Sequence, residues 1–285
     1  AVSCLIRTHG TLGGIVLTAS HNPGGIRHDF GIKFNVENGG PAPDSFSNDV
    51  YMRTRTIRQY RICADLDVNL DDISTQTFVV DGREFVVEVI DPVSDYVALL
   101  KSIFDFDKLR NLIRGEKPFK IRIDSMNGVA GVYAQAIFID ELKAPDGSIV
   151  RSIPLDNFGE IHPDPNLTYA IDLVNALRAD AEIDLGAAFD GDADRNMILG
   201  RNAFFVTPSD SLAVLANNLH CIPYFRRNGV LGFARSMPTG GAVDLVARKL
   251  NKEMFVVPVG WKYFGNLMDA GRMSLCGEES FGTGS

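Results

Sequence analysis

This sequence of 285 residues lacks the features that mark secreted, membrane-spanning and zinc-binding proteins. Cys4, Cys63, Cys221 and Cys276 lie far apart and form no C-x-x-C pair, which predicts reduced, mostly buried thiols in a cytosolic protein. No signal-peptide pattern occurs. The longest uncharged stretch, residues 10–26, is interrupted by five glycines and a proline, so we expect no membrane insertion.

Positive charge is also scarce, because 36 acidic residues face 28 lysines and arginines and give a formal net charge of −8. Binding to a phosphate backbone needs a basic surface, so we expect no nucleic-acid partner. A small anionic ligand stays compatible, since a few converging Arg and Lys side chains reverse the field locally. The nucleotide-binding patterns G-x-x-x-x-G-K-[ST] and G-x-G-x-x-G are absent, which disfavours a nucleotide-driven kinase and a dinucleotide-dependent dehydrogenase.

The sequence does contain hydrophobic and charged residues in the proportions typical of a globular protein, 45% and 22%. Short apolar strands alternate with amphipathic helices, which favours α/β layers with parallel or mixed sheets. Helices are predicted at the beginning of the chain and at 166–179, 209–220 and 239–250. Strands are predicted at 14–18, 31–36, 84–90, 119–124, 149–154, 185–189, 196–199, 230–234, 253–257 and 273–276.

Two joints divide this pattern into domains. The first joint is predicted at Asp91–Pro92, where a helical pattern restarts. The second is predicted at 200–207, directly after a predicted strand. The polar stretch 61–83 predicts a loop or an irregular hairpin. The chain begins inside a helical pattern without a methionine and stops after a loop-like run, so we expect incomplete first and third domains. The predicted α/β domains are 1–91, 92–202 and 203–285.

The strongest chemical signal is a run of aspartates at alternate positions, Asp190, Asp192 and Asp194. They directly follow the predicted strand 185–189, and ligands bind at such carboxyl ends in open α/β sheets. Separated by small residues, they can surround one hard divalent cation. A calcium EF-hand does not fit, because arginine occupies its sixth and twelfth positions. We predict a magnesium loop with Arg195 facing an anion; a solvated acidic turn is the alternative.

The second signal is T-A-S-H-N-P-G-G at residues 18–25, again directly after a predicted strand. Small residues, a proline and a glycine pair predict a tight, exposed turn with Ser20 near its apex. The G-x-S-x-G elbow of hydrolases is absent. His21 could orient the serine oxygen or exchange a proton with it or with its ester. Taken alone, an ordinary loop serine explains this pair better.

The third signal is G-E-E-S-F-G at residues 277–282, after the predicted strand 273–276. Adjacent carboxylates and a hydroxyl in a glycine-bounded loop can exchange hydrogen bonds with vicinal sugar hydroxyls. The acid/base pair of a glycosidase is the alternative, although neighbouring glutamates seldom point to one place.

In this order and at this separation, the three motifs resemble the α-D-phosphohexomutase superfamily. The stretches 29–35, 38–43, 162–169 and 236–241 are similar to its eukaryotic phosphoglucomutase branch, which includes parafusin and aciculin. The resemblance covers essentially the whole chain. It implies tandem, similar three-layer α/β domains with mixed sheets around a central active-site cleft. It also implies a four-domain protein, of which the fourth, phosphate-binding domain lies outside this sequence.

The resemblance further implies a chemistry and the residues that carry it. Glucose 1-phosphate and glucose 6-phosphate would interconvert through a phosphoserine at Ser20 and a glucose 1,6-bisphosphate intermediate. The implied catalytic residues are Ser20, His21, Lys33 and Arg195. The implied Mg²⁺ ligands are Ser20, Asp190, Asp192 and Asp194. The implied substrate-binding residues are Asp194, Arg195, Val259, Gly260, Glu278 and Ser280.

The sequence departs from the family pattern at several positions. Val259 replaces a threonine, which removes a hydroxyl from the sugar loop, and Ile26-Arg27-His28 replaces small residues. Ala193 replaces a glycine, which matters only where φ is positive. An aciculin-like structural protein with little catalysis and a mutase for another hexose phosphate remain alternatives. We expect a cytoplasmic monomer or weak dimer, and a chain that alone binds metal without sustaining turnover.

Overall fold

The computed structural model of the protein describes residues 1–64 and 66–285. The chain divides into two compact units, each built from two stretches: Ala1–Gly14 with Phe34–Tyr96, and Ile15–Lys33 with Val97–Ser285. Every candidate site residue named above lies in the second unit. Within the described residues, no helix is both long enough and apolar enough to cross a membrane.

The helices and strands follow one another in the alternating order that the sequence predicts. The helices are α1 (Val2–His9), α2 (Asp44–Thr54), α3 (Ser94–Ile103), α4 (Phe106–Arg114), α5 (Ala130–Ala134), α6 (Ile171–Ala179), α7 (Pro208–Asn218), α8 (Pro223–Asn228), α9 (Ala242–Leu250) and α10 (Trp261–Asp269); a π-helical stretch, Gln135–Glu141, continues α5, and short 3₁₀ turns cover Arg201–Ala203 and Leu219–Cys221. The strands are β1 (Gly13–Thr18), β2 (Gly31–Val36), β3 (Ser74–Val80), β4 (Arg83–Val89), β5 (Ile121–Asp124), β6 (Ile149–Val150), β7 (Leu185–Phe189), β8 (Asn196–Gly200), β9 (Phe204–Val206), β10 (Gly232–Ser236), β11 (Glu253–Val257), β12 (Leu275–Gly277) and β13 (Thr283–Gly284).

The first unit contains a regular hairpin where the sequence predicts a loop or an irregular one. β3 and β4 pair antiparallel from Ser74↔Val89 to Val80↔Arg83. The hairpin closes on Asp81 and Gly82, both with positive φ, the conformation that a two-residue turn of type I′ requires. The threonines and glutamine of β3 hide the strand from a search for apolar runs, although threonine is itself a good strand former.

A five-stranded mixed sheet in the second unit positions the aspartate motif. Its order is β6-β5-β7-β8-β9, with β5 parallel to β6 and β7, and β8 antiparallel to both of its neighbours. Successive residues of β7 face opposite layers, since Ala188 packs with Leu173 of α6 and Ala187 packs with Ala134 of α5. Burial on both faces makes this a three-layer α/β arrangement.

A second mixed sheet, of order β11-β10-β12-β13, follows the same plan. β10 is parallel to β11 and β12, and β13 is antiparallel to β12. Phe233 of β10 packs with Leu212 of α7 and Val243 of α9, whereas the next residue, Ala234, packs with Phe264 of α10. The prediction of three-layer α/β structure with mixed sheets is therefore confirmed.

Some predicted elements are shorter than the sequence pattern indicates. The strand predicted at 149–154 stops at Val150, because the backbone of Arg151 is left-handed with φ 47°. The helix predicted at 166–179 begins at Ile171, after a turn in which the Asn166 side chain accepts the Thr168 and Tyr169 N–H groups.

The other differences concern a domain joint and the cysteines. The predicted joint at 200–207 contains β9, which pairs with β8, so the sheet of the predicted second domain extends to Val206. The three predicted domains, 1–91, 92–202 and 203–285, and the two boundaries between them stay predictions. All four cysteines are free; Cys4 and Cys276 are buried, but Cys63 and Cys221 are exposed, so the prediction of mostly buried thiols is wrong for half of them.

Candidate active site

The motifs singled out in the sequence form neighbouring loops of the second unit. We call them the serine loop (18–25), the aspartate loop (190–195) and the glutamate loop (277–282). The backbone of Arg195 forms a β-bridge with Gly282, and the Asn196 N–H donates to the Phe281 carbonyl at 3.2 Å. The aspartate and glutamate loops are thus hydrogen-bonded to each other.

Gly191 brings the serine loop against the aspartate loop. A Cβ at this position would lie 2.3 Å from the Ser20 carbonyl oxygen and 2.7 Å from the ring of Phe158. On its other side, the Gly191 carbonyl accepts the Val129 N–H at 3.0 Å. Only glycine allows this close approach of two backbones, so the contact between the loops depends on it.

Ser20 lies where the serine loop meets the aspartate loop. Its φ of 57° places it in the left-handed region, and its N–H donates to Thr18 Oγ1 at 2.8 Å. The Ser20 hydroxyl donates to Asp192 Oδ1 at 3.4 Å, and Lys33 Nζ donates to Ser20 Oγ, also at 3.4 Å. The half-buried serine oxygen therefore has a carboxylate and an ammonium group beside it.

The aspartate loop gathers one carboxylate oxygen from each of Asp190, Asp192 and Asp194 within 4.8 Å of one another. Asp190 is completely buried; its Oδ1 accepts the Arg195 N–H at 3.0 Å, whereas its Oδ2 has no hydrogen-bond partner. Burial, followed by the charges of Asp194 and Asp192, raises the pKa of Asp190 to about 8. An orphaned carboxylate oxygen among converging carboxylates fits a hard divalent cation.

Lys33 partly offsets this negative charge. Its Nζ lies 2.5 Å from Asp192 Oδ2 and 3.7 Å from Asp194 Oδ2. Burial acts to lower the pKa of Lys33, but its hydrogen bond to Asp192 and the charges of Asp192, Asp194 and Asp190 outweigh burial and raise it. The lysine is therefore a fixed positive charge beside both Ser20 and the aspartates.

His21 follows Ser20 in the chain and lies close enough to Arg195 for the guanidinium charge to affect its pKa. Arg195 Nη1 donates to Asp164 Oδ1 at 3.4 Å. Burial, and then the charges of Arg195 and His162, lower the pKa of His21 against the opposing effect of Asp164. His21 is thus a neutral imidazole near pH 7, and its buried Nδ1 has no hydrogen-bond partner. Asp164 belongs to the stretch 162–169, but the sequence alone did not single it out.

The glutamate loop approaches the turn that contains Val259 and Gly260. The Gly260 N–H donates to Glu278 Oε1 at 2.8 Å, and burial raises the pKa of Glu278. Val259 is 55% exposed, and Ser280 is half-buried. The structure thus brings Gly260 and Glu278 together, whereas their predicted contacts with a sugar stay predictions.

Ala193 has a φ of 63°, the condition under which its replacement of a glycine matters. Ala193→Gly is expected to raise the free energy of unfolding by up to about 1 kcal/mol, because the left-handed conformation strains an alanine more than a glycine. Urea unfolding followed by circular dichroism measures the change. As a control, Ala213→Gly inside α7 should lower stability by about 1 kcal/mol. A loss of stability in Ala193→Gly would contradict the assignment of strain.

The chain matches three domains of the phosphoglucomutase/phosphomannomutase family: alpha/beta/alpha domain I at residues 1–61, domain II at 94–203 and domain III at 207–285. All three loops lie inside the matched ranges.

Curated and solved relatives are similar over the whole chain. Phosphoglucomutase 1 of Drosophila melanogaster is 61% identical, and the mouse phosphoglucomutase-like protein 5 is 54% identical; both alignments cover 100% of the chain. The chain spans about half the length of these relatives, 51% and 50%. The solved open form of pp63/parafusin from Paramecium, a phosphoglucomutase, superposes with a TM-score of 0.93 at 50% identity, over 100% of this chain and 52% of its own.

Proposed function

Because this chain belongs to the phosphoglucomutase/phosphomannomutase family, we propose that it forms part of an isomerase of carbohydrate metabolism that interconverts glucose 1-phosphate and glucose 6-phosphate. One observation carries the proposal: the Ser20 oxygen lies 3.4 Å from both an Asp192 oxygen and the Lys33 ammonium group. A serine oxygen between a carboxylate cluster and a fixed cation is suited to carry a phosphoryl group.

In the proposed reaction, Ser20 enters the cycle as a phosphoserine. The bond between phosphorus and Ser20 Oγ breaks, and a bond forms from phosphorus to the oxygen of the free hydroxyl of the hexose phosphate. The sugar hydroxyl gives up its proton, and the released Ser20 oxygen takes up one proton. The product is glucose 1,6-bisphosphate and a free serine. After the bisphosphate reorients, the bond between its other phosphorus and the sugar oxygen breaks and a bond from that phosphorus to Ser20 Oγ forms. The serine gives up its proton, the sugar oxygen takes one up, and the isomeric monophosphate leaves.

Charge neutralisation and positioning are the main work of a protein in phosphoryl transfer. Lys33 is placed to stabilise the group in flight from the Ser20 side, and Arg195 from the side of Asp164. His21, a neutral imidazole beside Ser20, can hold or exchange a proton at the transferring oxygen. Asp190, Asp192, Asp194 and Ser20 would hold Mg²⁺, which when bound neutralises charge on the phosphoryl oxygens.

For the sugar, we assign recognition to Glu278, Ser280 and the turn at Val259 and Gly260. Glu278 contacts Gly260 directly, so a hydroxyl bound by one group is close to the other. Asp194 and Arg195 lie near enough to Glu278 to shift its pKa in opposite directions. These groups can therefore converge on one bound hexose phosphate.

We also expect the protein to be cytoplasmic and to be a monomer or a weak dimer.

A structural role with little catalysis is the second candidate. It is favoured by the mouse phosphoglucomutase-like protein 5, at 54% identity, and by the apolar, exposed Val259 at the sugar turn. The intact Ser20, Lys33 and aspartate loop favour catalysis instead. A mutase for another hexose phosphate would use the same transfer centre.

An assay of mutase activity separates these candidates. The complete protein, supplied with glucose 1-phosphate, Mg²⁺ and glucose 1,6-bisphosphate, should form glucose 6-phosphate. A coupled assay that oxidises this product measures the rate. Mannose 1-phosphate in place of the glucose ester should react more slowly. Absence of turnover with every hexose phosphate tried would favour the structural role, and faster turnover of the mannose ester would overturn the assignment of glucose.

A further inference from the structure

Glu279 is the member of the glutamate loop that the proposed function leaves without a role. The sequence places two carboxylates side by side, but their side chains go to different partners. Glu278 Oε1 accepts the Gly260 N–H at 2.8 Å, whereas Glu279 Oε2 accepts the Ser236 hydroxyl at 2.6 Å. The two glutamates therefore tie one loop to two different turns of the same unit.

The partners of Glu279 are two buried hydroxyl groups. Ser236 is 0% exposed and Thr239 is 2% exposed, and their oxygens lie 2.6 Å apart. Thr239 Oγ1 also lies 3.5 Å from Glu279 Oε2. Hydroxyls that have lost water need an acceptor, and a carboxylate is a stronger acceptor than a neutral oxygen. Glu279 supplies that acceptor and so connects this buried pair to the glutamate loop.

The turn that carries these hydroxyls is itself held firmly. Arg235, near the end of β10, forms a two-bond contact with Asp244 of α9, Nε to Oδ1 at 2.7 Å and Nη2 to Oδ2 at 2.9 Å. Its remaining nitrogen, Nη1, donates to the carbonyls of Thr239 at 3.0 Å and Ser236 at 3.3 Å. A turn fixed in this way to a strand and a helix is a rigid support for whatever contacts it.

Near its far end, the glutamate loop is tied through Phe281 to Asn196, the residue that directly follows the aspartate loop. The Phe281 carbonyl accepts both the N–H and the Nδ2 of Asn196, at 3.2 and 3.3 Å. The contact of Glu279 with Ser236 supports the loop two residues earlier in the chain. Of the residues assigned to the sugar, Ser280 lies between these two supports in sequence, and Glu278 directly precedes the first of them.

We propose that Glu279 is a positioning residue, which fixes the glutamate loop on the Ser236–Thr239 turn and so directs Glu278 and Ser280 toward the substrate. The substrate part of this inference rests on the proposed function, and the loop-anchoring part does not. Glu279 acts as a hydrogen-bond acceptor in this role. A glutamine can accept the same hydrogen bond through its amide oxygen, whereas an alanine cannot.

The anchoring part is tested by amide hydrogen exchange in the complete protein, read by mass spectrometry on peptides that cover residues 277–282. Glu279→Ala should speed exchange of these amides about tenfold or more, since a hydrogen bond to a charged group is lost. Ser236→Ala should do the same, and the double variant should add little to either. Glu279→Gln should stay close to wild type. Glu253→Ala, which removes an exposed glutamate paired with Arg272, is the matched control and should not affect this loop.

Unchanged exchange in both Glu279→Ala and Ser236→Ala would overturn the proposal, as would a glutamine variant that exchanges as fast as the alanine variant. If Glu279→Ala fails to fold, Ser236→Ala and Glu279→Gln still decide the matter.

The substrate part is tested by steady-state kinetics on the same proteins. Glu279→Ala should raise KM for the hexose phosphate about tenfold with a smaller change in kcat, and Glu279→Gln should restore KM. An unchanged KM in Glu279→Ala would overturn this part. Absence of mutase activity in the wild-type protein itself would refute the proposed function, and hydrogen exchange would then still test the anchoring.

Discussion

Replacement of Ser20 by alanine should abolish phosphate transfer from glucose 1,6-bisphosphate to the protein and lower kcat by about 10⁴-fold or more. The reason is geometric: the Ser20 oxygen lies between Asp192 and Lys33 at 3.4 Å from each, and alanine leaves no oxygen there. Intact-mass measurement after incubation with the bisphosphate and Mg²⁺ should show one added phosphate in the wild-type protein and none in Ser20→Ala. Peptide mapping should place the phosphate on Ser20.

The control for this experiment is Ser47→Ala, which removes an exposed hydroxyl on α2, in the other compact unit of the chain. It should take up phosphate as the wild-type protein does. Phosphate found on His21, or phosphate retained by Ser20→Ala, would show that another group receives the phosphoryl group. The proposed reaction would then be wrong in its first step.

Asp192→Asn should weaken Mg²⁺ binding by roughly tenfold to a hundredfold and should shrink the rise in melting temperature that Mg²⁺ produces. The three aspartate oxygens lie within 4.8 Å of one another, and Asp190 is buried with an orphaned oxygen, so each lost charge removes much of the attraction for a cation. Isothermal titration calorimetry with MgCl₂ measures the affinity directly.

Two further variants make the metal test specific. Asp146→Asn removes the same charge from an exposed turn and should leave the Mg²⁺ affinity unchanged. Lys33→Met should bind Mg²⁺ at least as tightly as wild type, because it removes an ammonium group 2.5 Å from Asp192 that competes with a cation. Equal weakening in Asp146→Asn and Asp192→Asn would show a general charge effect and would refute the metal site.

The bounds of a strand were predictable where a short apolar run begins and ends at clear polar or turn residues. The strands at Leu185–Phe189 and Glu253–Val257 have the predicted bounds, because each is a short apolar run bounded by polar or turn residues. β3 was missed because its exposed and half-buried positions carry threonine and glutamine. The end of β6 was missed because a left-handed backbone at Arg151 leaves no mark in hydrophobicity.

The candidate site was predictable in its loops and much less so in its contacts. An apolar strand before each motif was enough to place Ser20, Asp190 and Glu278 on loops at strand ends, where the structure finds them. The pairing of Arg195 with Asp164 joins residues far apart in sequence, and no local pattern contains it.

The sequence by itself determined the fold class, the family and the loops that hold the candidate chemistry, because these depend on local periodicity and on motifs read in order. Only the tertiary structure decided what the side chains contact. In the structure, Lys33 hydrogen-bonds to Asp192 and Ser20, and one oxygen of Asp190 has no hydrogen-bond partner. Glu278 and Glu279 contact two different turns. Those outcomes depend on how close two strand ends come and on which groups lose water there, and both are set only when the sheets and helices have packed.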